Sequence, residues 1–345
     1  MRHGRGPVTA ASAAAILGCA GPDLGRDEAA FFRDADPWGF ILFARNLVTP
    51  AQILRLTSAL REAVGRAAPV LIDQEGGRVQ RLRGPVWREW LPPLDHVART
   101  PPAARARSVW LRYRLIAAEL SALGIDVNCA VTGDIAGPRT HPFLRNRCFG
   151  EDAGTVIVAA RAAAGGLLSG GVLPVVKHIP GHGRASTDSH HELPRVDASR
   201  EALRETDFAV FAALADLPLG MTGHVVFTAI DPEGPATTSA EAIRLIRDEI
   251  GFRGLLMTDD ISMDALPGTI AGRAAAAIRA GCDAVLHCNG DRNEMEAVVA
   301  AAGRMTPAAR ARADAALALR RQPAAVDIGA LRAELEGLIE SPLHG

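Results

Sequence analysis

Eight short apolar runs, each followed by a helical stretch, constrain the fold more than any other feature of the sequence. The runs span 13–18, 38–44, 69–73, 125–129, 173–177, 217–223, 254–258 and 282–287. Helical patterns lie at 26–35, 50–66, 103–123, 152–170, 199–215, 239–250, 269–280 and 291–303. Nearly continuous apolar strands separated by helices are typical of a parallel sheet covered on both faces. Eight such units predict an α/β fold with one (β/α)8 barrel of the TIM type, and a doubly wound open sheet is the alternative.

The domain organisation follows from the absence of any linker-like or low-complexity segment in the series. We expect one catalytic domain over 1–345, with the barrel at about 13–303. The remainder, 304–345, contains two further helical patterns at 306–322 and 328–340. These are predicted to be extra C-terminal helices packed outside the barrel.

The N-terminus allows two interpretations. A basic start, Met1 to Arg5, precedes an Ala-rich apolar stretch that ends at Cys19, which is a pattern found in lipoprotein signals. The apolar part is short, however, and 13–18 can serve as the first strand of the fold. We therefore favour the strand.

Charge and cysteine content limit the classes of partner. The net charge is −1 and no basic run stands out, so a nucleic-acid partner is not expected. No apolar run reaches the roughly 18 residues of a spanning helix, so no membrane partner is expected. Five cysteines without a Cys-x-x-Cys pair suggest reduced thiols in the cytoplasm. We expect a cytoplasmic monomer that acts on a small molecule.

Polar residues directly follow several of the predicted strands. They are Asp73, Asp134, Arg147, Lys177, His178, His224, Asp259 and Asp260. In a barrel of this type, the residues after the strands converge on one mouth, where the catalytic groups lie. The opposite strand ends carry no comparable set in the sequence. This pattern predicts an enzyme.

The polar residues at the mouth leave two kinds of chemistry open. Lys177 is the only lysine in the chain, and the other residues offer carboxylates and imidazoles. The Gly-x-Gly-x-x-Gly spacing of a nucleotide site is absent. In one interpretation a carboxylate attacks an electrophilic carbon while a histidine moves the proton, as in glycosyl transfer. In the other, a metal that activates water is held by His178, His182, His190 and His191.

Four motifs occur in a fixed order along the chain. They are DQEGGRVQR at 73–81, NRCFG at 146–150, KHIPGHG at 177–183 followed by DSH at 188–190, and GLLMTDDISM at 254–263. Together they resemble the motifs of glycoside hydrolase family 3, in particular the bacterial single-domain β-N-acetylglucosaminidases that recycle cell-wall muropeptides. The resemblance spans about 13–300.

The resemblance implies a retaining hydrolase that removes terminal non-reducing β-linked N-acetylglucosamine and needs neither a metal nor a cofactor. It assigns Asp259 as the nucleophile and His190, paired with Asp188, as the acid/base. A carboxylate beside an imidazole orients the ring and raises its basicity. Asp260 and His191 are the competing candidates for the two roles.

The resemblance also implies which side chains bind the sugar. These are Asp73, Arg81, Arg147, Lys177 and His178. Asp73 would accept hydrogen bonds from hydroxyl groups, whereas Lys177 and His178 would donate. Arg81 and Arg147 could equally form salt bridges at the barrel mouth, because arginine commonly does both. His178 could instead be a buried, hydrogen-bonded imidazole.

Three other functions remain open at the level of sequence. The first is another activity of the same family, such as a β-glucosidase or an N-acetylglucosaminide phosphorylase. The second is the metal-dependent barrel hydrolase built on the histidines. The third is a sugar-binding protein without catalysis.

Overall fold

The computed structural model of the protein describes residues 11–187 and 193–339, and in them eight parallel strands close into a barrel. The strands are β1 Ala13–Gly18, β2 Pro37–Leu42, β3 Val70–Ile72, β4 Val127–Thr132, β5 Leu173–Ile179, β6 Leu219–Thr222, β7 Leu255–Asp260 and β8 Ala284–His287. Their order around the barrel is their order in the chain, and Leu17 of β1 pairs with Phe40 of β2 and His287 of β8. The predicted barrel is confirmed, and an open sheet is excluded.

Helices connect successive strands and cover the barrel. They are Arg26–Ala35, Pro50–Val64, Arg105–Ser121, Ala153–Ser169, Arg200–Glu205, Asp207–Ala213, Ala240–Asp248, Ile270–Ala280 and Arg292–Ala302, with short helices at Pro93–Ala98 and Pro142–Arg145. Side chains of Thr49, Asp152 and Thr269 cap three of these helices by accepting a backbone N–H of the first turn. Gly65 and Gly281 end two of them in the left-handed conformation.

The predicted helix over 199–215 is wrong in one respect, since it is interrupted at Thr206. The backbone of Thr206 leaves helical geometry at φ −124° and ψ −87°. Its hydroxyl donates to the Ala202 carbonyl at 2.6 Å and lies 2.8 Å from a carboxylate oxygen of Asp207. Threonine side chains that bond nearby backbone groups compete with the regular helix, and this competition is not visible in the apolar pattern.

Strand β1 is buried along its whole length, which confirms that 13–18 is a strand of the fold. Two terminal helices, Pro307–Leu317 and Ile328–Leu338, lie outside the barrel, and the second packs against the helix Arg105–Ser121. The five cysteines are buried and unpaired. No helix in the described part of the chain is long and apolar enough to cross a membrane.

The end of the barrel opposite the catalytic mouth also carries charged residues, contrary to the expectation from the sequence. An aspartate precedes each of β2, β4 and β8, and arginines from the surrounding helices and loops bind it. The groups are Asp36 with Arg66, Asp126 with Arg61 and Arg320, and Asp283 with Arg247 and Arg312. The arginines are distant in sequence, so only the fold reveals these pairs.

We expect the substitution Asp283→Asn to lower the free energy of unfolding by about 3 kcal/mol, because it breaks a buried ion pair. Asp283 is 3% exposed, and it accepts hydrogen bonds from Arg247 at 2.8 Å and Arg312 at 2.9 Å. Urea denaturation followed by circular dichroism measures the change. The control is Asp314→Asn on an exposed helix face, expected to change the value by less than about 0.5 kcal/mol. Equal loss in both variants would contradict the prediction.

Candidate active site

A cavity of about 120 Å³ opens at the mouth formed by the carboxyl ends of the strands. Its polar lining includes Asp73, Arg81, Arg147, Lys177, His178 and Asp259. Its largely apolar lining includes Ile41, Phe43, Met221, Met263, Leu286 and Cys288. The structure thus brings together every site residue named from the sequence that it describes. Asp188, His190 and the competing His191 lie outside the described residues.

Asp73, directly after β3, lies between two cations. Its Oδ1 accepts a hydrogen bond from Lys177 Nζ at 3.0 Å, and its Oδ2 accepts one from Arg81 Nη2 at 2.9 Å. Burial alone would raise the pKa of Asp73, but Lys177 and Arg81 hold it well below the usual range. The carboxylate is therefore ionised and can only accept hydrogen bonds.

Lys177, near the end of β5, is almost completely buried and contacts two carboxylates. Besides Asp73, its Nζ lies 2.7 Å from Oε1 of Glu75. Burial disfavours the ammonium form, yet Asp73 and Glu75 raise the pKa of Lys177 above its ordinary value. A protonated lysine has three N–H donors, so one remains for a ligand in the cavity.

Glu75 is a site residue that the sequence analysis missed. Its side chain is fully buried and binds Arg147 through two bonds, from Nε and Nη2, both at 2.9 Å. Asp73 and Glu75 are two residues apart on an extended segment, and side chains at this spacing point to the same face. This spacing was the signal in the sequence that could have identified Glu75 as a site residue. Arg147 makes the salt bridge and also lines the cavity, so both interpretations of this residue describe part of its environment.

His178 is held by Asp134, whose carboxylate oxygen Oδ2 lies 2.7 Å from the ring Nδ1. Burial would raise the pKa of Asp134, but His178 and His182 lower it, so the oxygen accepts and Nδ1 carries the proton. The other ring nitrogen, Nε2, lies 3.3 Å from Arg147 Nη2 and 3.9 Å from Asp259 Oδ2. Nε2 thus faces the cavity beside Asp259, and the role of His178 as a donor to the sugar stays a prediction.

Asp259 and Asp260, at the end of β7, have different environments. Asp260 accepts hydrogen bonds from Ser262 Oγ at 2.7 Å and from the backbone N–H groups of Ser262 and Cys288 at 3.0 and 3.3 Å. Asp259 accepts only the Asp260 backbone N–H, at 2.8 Å, among the bonds found in the described residues. Its carboxylate is left 22% exposed. Both neighbours line the cavity, but both carboxylate oxygens of Asp260 accept hydrogen bonds, whereas Oδ2 of Asp259 accepts none from the described residues.

The charge state of Asp259 follows from its neighbours. Burial would raise the pKa of Asp259, but His178 and His224, together with the Asp260 N–H, hold it below the ordinary value. His224 follows β6 and lies with its Nε2 3.0 Å from the Asp260 carbonyl, so it also fixes the backbone of this turn. Asp259 is therefore an ionised carboxylate at neutral pH.

His182, which the sequence analysis names only as a candidate metal ligand, lies in the cavity wall. Its backbone N–H donates to Asp134 Oδ1 at 2.6 Å, and its ring meets that of His178 edge to face at 5.4 Å. Burial lowers the pKa of His182 to about 3, so the ring is neutral. Among residues 11–187 and 193–339, no three His, Cys, Asp or Glu residues are grouped so as to hold a metal ion.

Comparisons with known proteins agree with this arrangement. The model of the glycosyl hydrolase family 3 N-terminal domain matches residues 25–318. A β-hexosaminidase of Alkalilimnicola ehrlichii is 40% identical over 285 residues, which are 79% of this chain and 80% of that protein. A β-hexosaminidase of Xylella fastidiosa is 38% identical over 298 residues, 84% of this chain and 87% of that protein.

A solved structure extends the agreement to the fold. NagZ of Neisseria gonorrhoeae, in complex with zinc ion, superposes with a TM-score of 0.82 at 26% identity. The match covers 96% of this chain and 99% of that one. The resemblance drawn from the four sequence motifs is confirmed, and the chain belongs to glycosyl hydrolase family 3.

Proposed function

We propose that this chain is a β-N-acetylhexosaminidase that removes terminal non-reducing β-linked N-acetylglucosamine with retention of configuration. The observation that carries the proposal is the ionised, partly exposed carboxylate of Asp259, which faces a cavity lined with hydrogen-bonding groups for sugar hydroxyls. Relatives of this chain at 40% and 38% identity are β-hexosaminidases. No organic cofactor or metal is required for this chemistry.

In the proposed reaction Asp259 attacks C1 of the sugar while His190 protonates the departing glycosidic oxygen. The bond from C1 to the leaving oxygen breaks as the bond from C1 to Asp259 forms. Water then attacks C1, His190 takes its proton, and Asp259 leaves as a carboxylate. Asp188 orients the imidazole of His190. The roles of Asp188 and His190 rest on the DSH motif.

The sugar binds through the polar wall of the cavity. Asp73 accepts hydrogen bonds from hydroxyl groups, and the remaining N–H of Lys177 donates to them. Arg81, Arg147 and His178 complete this wall. Because these groups are fixed by one another before the sugar arrives, little ordering is needed on binding.

The natural substrate that we propose is a cell-wall muropeptide with a terminal N-acetylglucosamine, hydrolysed in the cytoplasm. This finer assignment rests on the family resemblance and on the five cysteines, which are buried and form no disulfide. We further propose that the chain acts as a monomer and that 1–345 form one catalytic domain.

The experiment that tests the function compares the nitrophenyl β-glycosides of N-acetylglucosamine and of glucose. We expect kcat/KM to favour the N-acetylglucosaminide by on the order of 100-fold or more. Added phosphate should not raise the rate, and proton NMR should detect the β anomer of N-acetylglucosamine as the first product.

Three outcomes of the same experiment would contradict the proposal. Preference for the glucoside would indicate a β-glucosidase. Formation of a sugar phosphate in phosphate buffer would indicate a phosphorylase. Loss of activity after treatment with a chelator, with recovery on adding a divalent metal, would indicate the metal-dependent hydrolase.

A further inference from the structure

We infer that Glu75 is a positioning residue for the hydrolytic reaction, which fixes Lys177 and Arg147 in the orientation in which they bind the sugar. This inference rests on the proposed function and adds a residue to it. Glu75 belongs to the segment that follows β3, between the predicted sugar ligand Asp73 and the glycine pair at 76–77. It was absent from the site predicted by sequence.

The contacts of Glu75 show that it acts through other side chains. It has no exposed surface and is not among the residues that line the cavity. Both carboxylate oxygens are used: Oε1 and Oε2 each accept a hydrogen bond from Arg147 at 2.9 Å, and Oε1 also forms an ion pair with Lys177 Nζ at 2.7 Å. A group so enclosed cannot contact a sugar in the cavity. Its contacts instead fix the directions of the Lys177 and Arg147 side chains.

Counting donors shows what this orientation leaves for the sugar. Lys177 donates one N–H to Asp73 at 3.0 Å, and its Nζ forms an ion pair with Glu75 Oε1 at 2.7 Å, so at least one of its three N–H groups is not taken by these carboxylates. Arg147 uses Nε and Nη2 on Glu75, and its Nη1 has no hydrogen-bond partner in the part of the chain that the structure describes. The bidentate geometry holds the planar guanidinium in one plane, so the direction of the unused donors is fixed.

The backbone of Glu75 is held from behind by the helix Arg105–Ser121. Arg112, which is buried, donates from Nη2 to the Glu75 carbonyl and to the Leu91 carbonyl, both at 2.6 Å. Gly76 lies against this guanidinium with φ +110°, and a Cβ there would come within 2.0 Å of Nη2. The positive φ and the approach of the Leu91 carbonyl, 2.6 Å from such a Cβ, require glycine, so the segment that carries Glu75 packs directly against Arg112.

The charge of Glu75 offsets part of a local excess of positive charge. Ionised Asp73 and Glu75 face three cations, Arg81, Arg147 and Lys177, so loss of the Glu75 charge would leave one carboxylate against three cations. The titratable and charged groups that act on Lys177, or on which it acts, are Asp73, Glu75, Arg147, Cys129, Tyr113 and Asp259. Without the charge of Glu75, one of the two carboxylates that keep the Lys177 pKa high is lost, so the pKa falls.

The test is a double-mutant cycle with Glu75→Gln and Lys177→Met, measured on the nitrophenyl N-acetylglucosaminide. We expect Glu75→Gln to lower kcat/KM about 100-fold, the cost typical of misplaced binding groups. The double variant should lose less kcat/KM than the product of the two single losses, because the part of the Glu75 effect that acts through Lys177 is already removed and only the part that acts through Arg147 remains. The pH profile of Glu75→Gln should show, beyond the alkaline decline that all variants share through His190, a second alkaline decline from Lys177 that neither the wild type nor Lys177→Met has.

Glu75→Asp keeps the charge with a shorter reach and should fall between the wild type and Glu75→Gln. Its activity keeps the inference testable if Glu75→Gln does not fold. Wild-type activity in Glu75→Gln, or losses that multiply in the double variant, would overturn the role of Glu75.

The matched control is Asp283→Asn, which removes another buried carboxylate held by two cations, at the opposite end of the barrel. It should be destabilised yet keep kcat/KM within about twofold of the wild type, because it is remote from the site. Equal loss of kcat/KM in this control would mean that the effect of Glu75 reflects stability alone. A wild-type chain without activity would instead overturn the proposed function, and the Glu75 role with it.

Discussion

The substitution Asp259→Asn is expected to lower kcat by on the order of 10⁴-fold or more, since it removes the atom that forms the bond to C1. Asparagine has the shape of aspartate, and its carbonyl oxygen can still accept the Asp260 N–H that Asp259 accepts at 2.8 Å. We therefore expect the variant to fold and to bind N-acetylglucosamine. Steady-state kinetics and isothermal titration calorimetry measure the two quantities.

The matched control is Asp260→Asn, which removes the same charge from the neighbouring position. Its carbonyl oxygen can keep the backbone bonds from Ser262 and Cys288, so the turn should persist. We expect kcat to stay within about tenfold of the wild type, because the carboxylate of Asp260 is hydrogen-bonded within the turn. A loss in Asp260→Asn as large as that in Asp259→Asn would contradict the assignment.

A second readout is specific for a nucleophile. In Asp259→Ala the space of the lost carboxylate can admit azide, which would attack C1 directly. One displacement inverts the configuration, so a β-glycoside should give an α-glycosyl azide. If Asp259 is the nucleophile, azide should restore turnover of the variant, and NMR should detect the α-glycosyl azide. Loss of a residue with only a structural role would not give this product.

Most of the fold could be predicted because its determinants are local. A strand buried on both faces must be apolar, so runs such as the one at β5 are visible as composition. The break at Thr206 was not predictable in the same way, since it depends on a side-chain hydroxyl that competes for a backbone carbonyl. The pattern of apolar residues continues through it unchanged.

The site was predictable only as far as each residue could be assigned by its position after a strand. That rule brought Asp73, Lys177 and Asp259 to one cavity, as the structure confirms. It could not reveal that Glu75 binds Arg147, which lies 72 residues later. Whether two such side chains meet depends on how deeply each one is buried and on where it points. The alternation of side chains along a strand specifies neither.

The structure adds a partner of His178 that the sequence did not indicate. The carboxylate of Asp134 accepts from Nδ1 at 2.7 Å, so that nitrogen carries a proton. The other nitrogen, Nε2, faces Arg147 and Asp259. Because a tautomer depends on the partner of the opposite nitrogen, it cannot be assigned before that partner is known.

The substitution His190→Ala is expected to have an effect that depends on the leaving group. Where the departing oxygen needs a proton, as in a disaccharide, kcat/KM should fall by about 10³-fold, within the usual range for general acid catalysis. A dinitrophenyl glycoside leaves without that proton, so its kcat/KM should fall by less than about tenfold. Comparing the two substrates in wild type and variant measures the difference.

The pH profile gives an independent test of the same role. In the wild type kcat/KM requires an ionised Asp259 and a protonated His190. Because the pKa of Asp259 is lowered, the acid decline should lie below about pH 4. The alkaline decline should follow deprotonation of the imidazole, a group whose unperturbed pKa is about 6.5. His190→Ala should lose the alkaline decline and keep the acid one, because only one of the two titrating groups has been removed.

His191→Ala is the control that separates the two adjacent histidines. It carries the same change one residue away, and we expect it to keep both the alkaline decline and activity on the disaccharide within about tenfold of the wild type. If His191→Ala instead showed the leaving-group dependence, the acid/base would be the neighbour of the residue that the motif indicates. The nucleophile at Asp259 would be unaffected by that result, since its assignment depends on a different strand.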